Sequence, residues 1–445
     1  MPRKKKTVKE EEEEAVEGKS AAAKKKKASV AKASKKKEVI QPEVNIGLVG
    51  HVDHGKTTLT ERLSGKWTDT HSEEIKRGIT IRLGYADSTF FKCPKCKGSE
   101  AYCVSEKCPE CGAKTVLLRK VSFVDAPGHE SLMATMLAGL TIMDGALVLI
   151  AANEECPQPQ TREHIMALQI IGVERIIIVQ NKIDLVSEEE AMKNQKQIKE
   201  FLKDSDYKDA PIIPISAKHN LNIDLLVEAV EKYIPTPKRD PSKDPIMFVA
   251  RSFDINKPGT EHGKLLGGVL GGALKQGVIS VGQEIEIKPG LGYEQHGQNV
   301  FKPIITKVAG LMTGGDPVKK VNPGGSIGLL TELDPTIVKS DSLAGNIVGI
   351  PGKVYPTWEE LVLETYLLER VVGAKEDIDV EPVKMGEPLM LNINSAATVG
   401  TVIKMEKGKI TCKLKLPICA EKGNRVTMSR MVGTRFRLIG YGIIS

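Results

Sequence analysis

The spacing of apolar residues along the chain changes at two places, and each change predicts a different architecture. Between residues 43 and 236, short continuous apolar runs alternate with segments in which apolar residues recur every three or four positions. The short runs are typical of buried strands, and the longer repeat is typical of amphipathic helices. Their alternation predicts an α/β domain with a doubly wound, mostly parallel sheet. The predicted strands are 44–49, 121–124, 145–151, 175–180 and 211–215, and the predicted helices are 57–63, 130–142, 160–171, 188–203 and 222–234.

A Pro-rich segment at residues 235–245 ends this alternation and predicts a stiff linker. After it, short alternating runs separated by Gly and Pro turns predict strands throughout, one of them over residues 278–287. A second break at Gly349–Gly352 divides these strands into two sets. We therefore predict two all-β barrel domains, over residues 237–352 and 353–445.

The first 40 residues have a different composition from the rest of the chain. They hold fourteen Lys and Arg against seven Glu, so they account for the whole net charge of +7. This composition predicts a disordered Lys-rich tail over residues 1–42, which acts either as a solubilising arm or as an arm that binds RNA or the ribosome. No apolar run approaches the 18 or so residues of a membrane span, and the N-terminus has no apolar core. We therefore expect a cytoplasmic protein with no membrane partner.

The strongest motif is Gly50–Thr57, which fits the phosphate-loop pattern G-x-x-x-x-G-K-[ST] without a mismatch. It lies between a predicted strand and a predicted helix, as that loop requires. Gly50 and Gly55 let the backbone turn its N–H groups toward phosphates, Lys56 reaches the β- and γ-phosphates, and the Thr57 hydroxyl ligates Mg²⁺. The residues predicted to hold the phosphates are Gly50, His51, Val52, Asp53, His54, Gly55, Lys56, Thr57 and Thr58.

Two later motifs predict that the bound nucleotide is GTP or GDP. Asn181–Asp184 follows a predicted strand, and the Asp184 carboxylate can accept both N–H groups on the N1/N2 edge of guanine, a pair that adenine lacks. Lys182 would cover the ring. Backbone N–H groups of the next motif would bind guanine O6. That motif is Ser216, Ala217 and Lys218.

Two further segments predict a response to the γ-phosphate. Asp125, at the end of its predicted strand, would bind Mg²⁺ through water, and the Gly128 amide would contact the γ-phosphate. Thr80 would complete the metal shell with Thr57 and Asp125. Because both segments would become ordered only around a triphosphate, they predict a GTP switch.

Five of the eight cysteines lie between residues 93 and 111, and such clustering in a cytosolic chain favours metal binding over disulfides. Cys93 with Cys96, and Cys108 with Cys111, form two C-x-x-C pairs separated by eleven residues. Four thiolates in this arrangement can close a tetrahedral Zn²⁺ site. We therefore predict a zinc knuckle in an insert over residues 91–112. The alternatives are a register that uses Cys103 and a cluster of unliganded thiols. The remaining cysteines are expected in the core or on the surface.

These motifs resemble those of the translational GTPases of the elongation factor Tu kind. The resemblance rests on Gly50–Thr57, Arg77–Thr80, Asp125–His129, Asn181–Asp184 and Ser216–Lys218. It covers most of the chain. It includes Gln276–Gly282, which is similar to a turn and strand of that family's second domain, and the two predicted barrels match the family's domain order. The resemblance implies GTP hydrolysis that is slow without a partner. It also implies that His129 orients the attacking water, with Val52 and Ile79 flanking it as an apolar gate.

The cysteine insert is not a feature of elongation factor Tu. Together with Ile150–His164, it resembles the gamma subunits of archaeal and eukaryotic initiation factor two. That resemblance implies a heterotrimer with alpha and beta subunits, which carries methionylated initiator tRNA to the small ribosomal subunit in its GTP state. GTP hydrolysis would then trigger release. In that family the second domain docks the alpha subunit and the GTPase domain docks the beta subunit.

Two alternatives come from other classes of protein. The first is an elongation or selenocysteine-specific factor that carries another aminoacyl-tRNA. The second is a zinc-dependent RNA-binding module in which the nucleotide serves only the structure. Four arginines of the last domain either face RNA or simply decorate a barrel. They are Arg425, Arg430, Arg435 and Arg437.

Overall fold

The computed structural model describes residues 39–68, 74, 80–295, 298–371 and 379–445. Most of the predicted tail lies outside these residues, as does Ile79 of the predicted gate, so the structure does not bear on either. None of the helices in the described part of the chain is long and apolar enough to cross a membrane.

A seven-stranded sheet forms the centre of the first domain. Its spatial strand order is β3-β2-β4-β1-β5-β6-β7. The strands are β1 (Val44–Gly50), β2 (Gly84–Lys92), β3 (Tyr102–Cys103), β4 (Val116–Asp125), β5 (Gly145–Ala151), β6 (Ile176–Asn181) and β7 (Ile212–Pro214). Strands β4, β1, β5, β6 and β7 are parallel, whereas at one edge β2 pairs antiparallel with β4 and β3 pairs antiparallel with β2. The predicted α/β class with a mostly parallel sheet is therefore confirmed.

Helices cover both faces of this sheet. They are α1 (Lys56–Ser64), α2 (Met133–Leu140), α3 (Pro159–Ile171), α4 (Glu188–Leu202) and α5 (Ile223–Tyr233). On one face, α1 and α5 bury Leu59 and Leu226, and on the other face α2, α3 and α4 bury Leu137, Leu168 and Ile198. Burying such a side chain is worth about 1.5 to 3 kcal/mol. The two apolar layers fix the carboxyl ends of the parallel strands at a common edge, where open α/β sheets bind ligands.

The sequence-based prediction missed the antiparallel edge of the sheet. Strand β2 was not predicted, because its buried face carries Ala86, Ser88 and Phe90, of which only the last is large and apolar. Strand β4 begins at Val116 and not at residue 121, so the prediction covered only its buried second half. Its first two residues, Val116 and Leu117, are exposed. An edge hairpin needs no continuous apolar run, so the run-based prediction did not extend to it.

The strands after the linker form two closed barrels, as predicted. The first has six main strands in the order β11-β16-β8-β9-β15-β12, closed by pairing between β11 and β12. Its elements are β8 (Ile246–Phe253), β9 (Val269–Gln276), β10 (Ile279–Ser280), β11 (Glu284–Gln295), β12 (Gln298–Thr313), β13 (Asp316–Val318), β14 (Lys320–Val321), β15 (Ser326–Thr331) and β16 (Ile347–Gly349). The predicted strand 278–287 is wrong as one unit. A turn at Gly282, whose φ of 85° favours glycine, divides it into β10 and β11.

The second barrel closes in the order β17-β20-β19-β18-β21-β22. Its strands are β17 (Thr357–Leu367), β18 (Pro388–Ile393), β19 (Ala396–Glu406), β20 (Lys409–Cys419), β21 (Arg425–Val432) and β22 (Arg435–Ile444). Two of the arginines left open by the sequence face α3 of the α/β domain. Arg437 pairs with the buried Glu163 at 2.7 Å, and Arg425 donates to the Ile170 carbonyl at 3.0 Å. These two side chains therefore hold domains together.

Candidate nucleotide site and cysteine cluster

A cleft of about 210 Å³ lies at the carboxyl edge of the parallel sheet. It brings the phosphate loop together with Thr80 and with the segment that follows β4. Its lining residues are Val52, Asp53, Gly55, Lys56, Thr57, Thr58, Trp67, Thr80, Gly128 and His129. Segments that are up to 77 residues apart in the sequence, from Val52 to His129, therefore meet at one site.

The backbone of the phosphate loop requires glycine at two positions. Gly50 and Gly55 have φ values of 140° and 91°. A Cβ atom added at Gly55 would lie 2.4 Å from Asn181 Nδ2, and one added at Gly50 would lie 2.4 Å from the Leu149 carbonyl oxygen. Asp53 also has a positive φ, of 63°. The chain therefore turns tightly around the cleft, as a loop whose N–H groups surround phosphates must do.

Lys56 follows the turn of this loop as the first residue of α1 and is almost fully buried. Its ammonium group donates to the carbonyl oxygens of Gly50, at 2.9 Å, and His51, at 2.7 Å. A Cβ atom added at Gly128 would lie 2.5 Å from Lys56 Nζ, so this glycine approaches the lysine closely. The charge is thus held between the loop and the Gly128 segment, where it can meet phosphate oxygens.

Of the three predicted magnesium ligands, Thr57 lies within hydrogen-bonding distance of both others. The Thr57 hydroxyl donates to Asp125 Oδ2 at 2.9 Å and lies 3.3 Å from Thr80 Oγ1. A fourth residue joins them, because Thr68 Oγ1 also donates to Asp125 Oδ2, at 2.7 Å. Hydroxyl and carboxylate oxygens are hard donors of the kind that Mg²⁺ prefers, so this set fits the ion.

His129 lines the cleft, as does Val52. Its Nδ1 accepts the Ser131 backbone N–H at 3.2 Å and lies 2.8 Å from Ser131 Oγ. Because Nδ1 accepts, the neutral ring carries its proton on Nε2. This assignment leaves a donor at the far nitrogen of the ring.

The His54 side chain points away from the cleft. It is fully buried, with Nδ1 2.8 Å from the Leu149 carbonyl oxygen and Nε2 3.3 Å from Glu154 Oε2. Burial lowers the pKa of His54 below its ordinary value. Therefore only the backbone of His54 can contact a nucleotide in the cleft. The His54 carbonyl oxygen already accepts a hydrogen bond from Asn181 Nδ2.

The two base motifs meet at Asn181. Its Nδ2 donates to the His54 carbonyl oxygen at 2.9 Å, and its Oδ1 accepts the Ala217 N–H at 3.0 Å. The Ala217 N–H therefore already has a protein acceptor, whereas none of the described residues accepts a hydrogen bond from the Lys218 N–H. A hydrogen bond from the Ser216 side chain lowers the pKa of Asp184, so its carboxylate stays ionised.

The four predicted zinc ligands form one cluster. The sulfur atoms of Cys93, Cys96, Cys108 and Cys111 all lie within 4.8 Å of one another, with two of the distances at 3.5 and 3.7 Å. This spacing fits a tetrahedral thiolate site. Cys103 lies outside the cluster, and its thiol donates to the Ser105 carbonyl oxygen at 3.4 Å.

Comparisons with known proteins identify the family. Residues 41–236 match the profile "Elongation factor Tu GTP binding domain", and residues 359–444 match "Initiation factor eIF2 gamma, C terminal". The chain is 58% identical over 410 residues to translation initiation factor 2 subunit gamma of Pyrococcus horikoshii, covering 92% of this chain and 99% of that one. The protein of the same name from Methanocaldococcus jannaschii is 57% identical over 411 residues, with the same coverage. The chain belongs to the translation initiation factor 2 gamma-subunit family.

Membership of the gamma-subunit family makes the chain a translational GTPase, which hydrolyses GTP. The family also implies GTP or GDP with Mg²⁺ as its ligands, and a factor complex that binds tRNA. The alternative of an elongation or selenocysteine-specific factor is not favoured, because the curated relatives at high identity carry the initiation factor name.

Solved structures support the same fold at lower identity. A bacterial selenocysteine-specific elongation factor, EF-Sec, superposes with a TM-score of 0.68 at 24% identity, covering 91% of this chain and 58% of that one. Elongation factor SelB from Methanococcus maripaludis, with the GTP analogue GppNHp, gives 0.65 at 22% identity, covering 92% and 80%. At this identity the likeness concerns the fold alone.

Three residues near the site of this gamma-subunit chain were missed by the sequence-based prediction. Trp67 lines the cleft, Thr68 binds Asp125, and Arg62 of α1 binds the backbone carbonyl oxygens of Ala217 and Lys218. None belongs to a phosphate-loop or base motif. Their placement depends on tertiary contacts that no local pattern indicates.

Proposed function

We propose that this chain is the GTP-binding subunit of a cytoplasmic heterotrimeric initiation factor with alpha and beta subunits. In its GTP state it binds methionylated initiator tRNA and delivers it to the small ribosomal subunit, and GTP hydrolysis triggers release. The main support is the identity of 58% across nearly the whole length of a gamma subunit, together with a cleft that gathers the phosphate loop, Thr80, Gly128 and His129.

We propose the following roles in the cleft. The backbone of residues 50–58 and the Lys56 ammonium bind the phosphates, Thr57, Thr80 and Asp125 hold Mg²⁺, and the Gly128 amide contacts the γ-phosphate. When bound, the ion neutralises charge on the phosphate oxygens. At the other end, Asp184 binds the N1/N2 edge of guanine, Asn181 joins the two loops, and Lys182 covers the ring.

We propose that His129 positions the attacking water and does not remove its proton. The neutral ring carries its proton on Nε2, because Nδ1 accepts from Ser131. An Nε2–H group can donate to a water oxygen, but it has no lone pair with which to take a proton. Val52 lines the same cleft and would shield this water on one side, with Ile79 as its proposed partner.

We propose that the four-cysteine cluster holds one structural Zn²⁺ ion. A site closed by four thiolates has no open coordination position for substrate, so its role is to stabilise the insert over residues 91–112.

We propose domain boundaries at 43–236, 237–352 and 353–445, because each break then lies in a segment between two sheets.

A second cleft, of about 410 Å³, lies between β2 and the first barrel and is our candidate for the methionyl end of the tRNA. Its lining includes Tyr85 of β2 and Phe253, Met312 and Ile327 of the barrel. An apolar, unbranched methionyl side chain suits such a lining. Strand β2 follows Thr80 closely in the chain, so a movement of Thr80 when the nucleotide changes would also affect the shape of this cleft.

The test is binding of labelled methionylated tRNA to the chain reconstituted with alpha and beta subunits. We expect the initiator tRNA to bind at least tenfold more tightly with a non-hydrolysable GTP analogue than with GDP. Methionylated elongator tRNA is the matched control, because it carries the same amino acid. Equal affinity for both tRNAs, or no effect of the nucleotide, would contradict the proposal.

A further inference from the structure

We propose that Arg62 is a positioning residue for guanine recognition, which aims the Lys218 N–H at O6 of the base. Arg62 lies in the last turn of α1, the helix that begins at the phosphate-loop residue Lys56. Its Nε donates to the Ala217 carbonyl oxygen at 3.0 Å, and its Nη2 donates to the Lys218 carbonyl oxygen at 3.0 Å. The proposal rests on the proposed role of this loop in binding guanine.

The planarity of the peptide group explains how these two hydrogen bonds from Arg62 affect recognition of the base. The Ala217 carbonyl and the Lys218 N–H belong to one trans peptide unit, so they point in opposite directions. When Arg62 fixes the carbonyl, it therefore also fixes the direction of the N–H, which points away from the arginine. The next peptide behaves in the same way, since the Lys218 carbonyl faces Arg62 while the His219 N–H donates to Ser216 Oγ at 3.3 Å.

The opposite side of the loop is held by Asn181. Its Oδ1 accepts the Ala217 N–H at 3.0 Å, which removes that donor from competition for the base. The loop is therefore fixed by Asn181 through one N–H and by Arg62 through two carbonyls. This arrangement leaves the Lys218 N–H as the backbone donor of the motif with a defined direction and no protein acceptor among the described residues.

A simpler role for Arg62 would be a favourable charge near the C-terminal end of α1. A lysine would serve that role equally well. The observed contacts use two nitrogens of one planar guanidinium on two successive carbonyls, a geometry that lysine cannot reproduce. Replacement by lysine therefore separates positioning of the loop from a general electrostatic effect.

The experiment measures equilibrium binding of three diphosphates to the parent chain and to R62A. GDP and inosine diphosphate both carry O6, whereas the diphosphate of 2-aminopurine riboside lacks it. We expect R62A to lose about 5-fold to 10-fold in affinity for the first two, as loss of roughly one hydrogen bond implies, and to bind the third as the parent does. R62K should behave like R62A, and Glu61→Ala, which changes the neighbouring residue on α1, should behave like the parent.

The outcomes separate the inference from the proposed function. An equal loss for all three ligands, or full rescue by R62K, would overturn the positioning role, as would no loss at all in R62A. If instead the parent binds GDP and the 2-aminopurine analogue equally well, then the loop does not read O6, and the proposed base recognition itself fails. Thermal unfolding of nucleotide-free R62A, expected to match the parent, shows that the variant is folded.

Discussion

The two ends of the proposed nucleotide site, the cleft around the phosphate loop and the loops that carry Asn181 and residues 216–218, are built in different ways. At the phosphate end, the side chains bind other groups of the cleft itself. Lys56 donates to the carbonyls of its own loop, and the hydroxyls of Thr57 and Thr68 share one oxygen of Asp125. At the base end, the fixing contacts lie behind the proposed guanine-binding groups, where Asn181 and Arg62 hold the backbone of the 216–218 loop.

This difference implies different behaviour on binding. At the phosphate end, a bound nucleotide and its metal would replace contacts that the protein makes with itself, so the segments that carry those contacts would respond to the ligand. At the base end, the loop is already arranged, and binding costs little reordering. Changes at the phosphate end should therefore alter rates and metal dependence, and changes at the base end should alter affinity and selectivity.

The largest effect is expected for His129→Ala at the phosphate end. Loss of a water-positioning group should reduce partner-stimulated hydrolysis by about 10²-fold to 10⁴-fold, or about 3 to 5 kcal/mol. Affinities for GTP and tRNA should stay near the parent values, because the residue acts in the transition state. Single-turnover hydrolysis with and without ribosomes measures both. Ser131→Ala, which removes only the hydroxyl beside Nδ1, is the control, and undiminished stimulated turnover in His129→Ala would remove the histidine from the mechanism.

At the base end, Asp184→Asn should change affinity and selectivity and leave the chemistry intact. The amide cannot accept both N–H groups of guanine, so GTP affinity should fall by about 10-fold to 100-fold. Xanthosine triphosphate should gain, because its 2-oxo group can accept from the new amide. His219→Ala, which removes a side chain 3.5 Å from Asp184, is the matched control. Equal GTP affinity in Asp184→Asn and the parent would show that the base is held elsewhere.

The parts of this site that the sequence could predict are those with local geometry. Gly50–Thr57 is a strand, loop and helix in one continuous segment, so its letters are enough to predict its shape. The four clustered cysteines also lie within a short insert, and their spacing alone indicates a common site. The His54 side chain shows the limit of motif letters, since its position matches the loop while its ring is buried elsewhere.

Residues with distant partners could not be predicted. Thr68 binds a carboxylate 57 positions away, and Arg62 binds a carbonyl 155 positions away. In the sequence, each is an ordinary polar residue near the end of a helix. Strand β2 was missed for a related reason, because its position depends on pairing with β4 more than on its own apolar content. Tertiary pairing, and not local propensity, decides such features.

A smaller effect is expected for Thr68→Val, which tests whether Asp125 gives up its hydrogen bond from Thr68 when Mg²⁺ binds. The Thr68 hydroxyl would compete with a metal-bound water for Asp125 Oδ2, so its removal should favour the metal-bound state by about one hydrogen bond, roughly fivefold. The Mg²⁺ concentration that half-maximally slows GDP release should fall by that factor. Thr68→Ser keeps the hydroxyl and should match the parent. An unchanged Mg²⁺ midpoint in Thr68→Val would mean that this contact does not oppose the metal.

The smallest effect on the cleft is expected when cysteines of the cluster are replaced. These variants therefore serve as a reference for the changes at both ends of the site. The parent should contain one zinc per chain by metal analysis, and Cys93→Ser with Cys111→Ser should contain none. Without the ion, the insert should be cleaved faster by protease, because a metal site contributes to local folding. GDP affinity should stay within about twofold of the parent, since no cysteine of the cluster lines the cleft.

Cys103→Ser is the matched control, because it removes a thiol outside the cluster. Zinc retained in the double variant, or lost in Cys103→Ser, would show that the ligand set differs, and a large change in GDP affinity would show that the insert and the cleft are coupled.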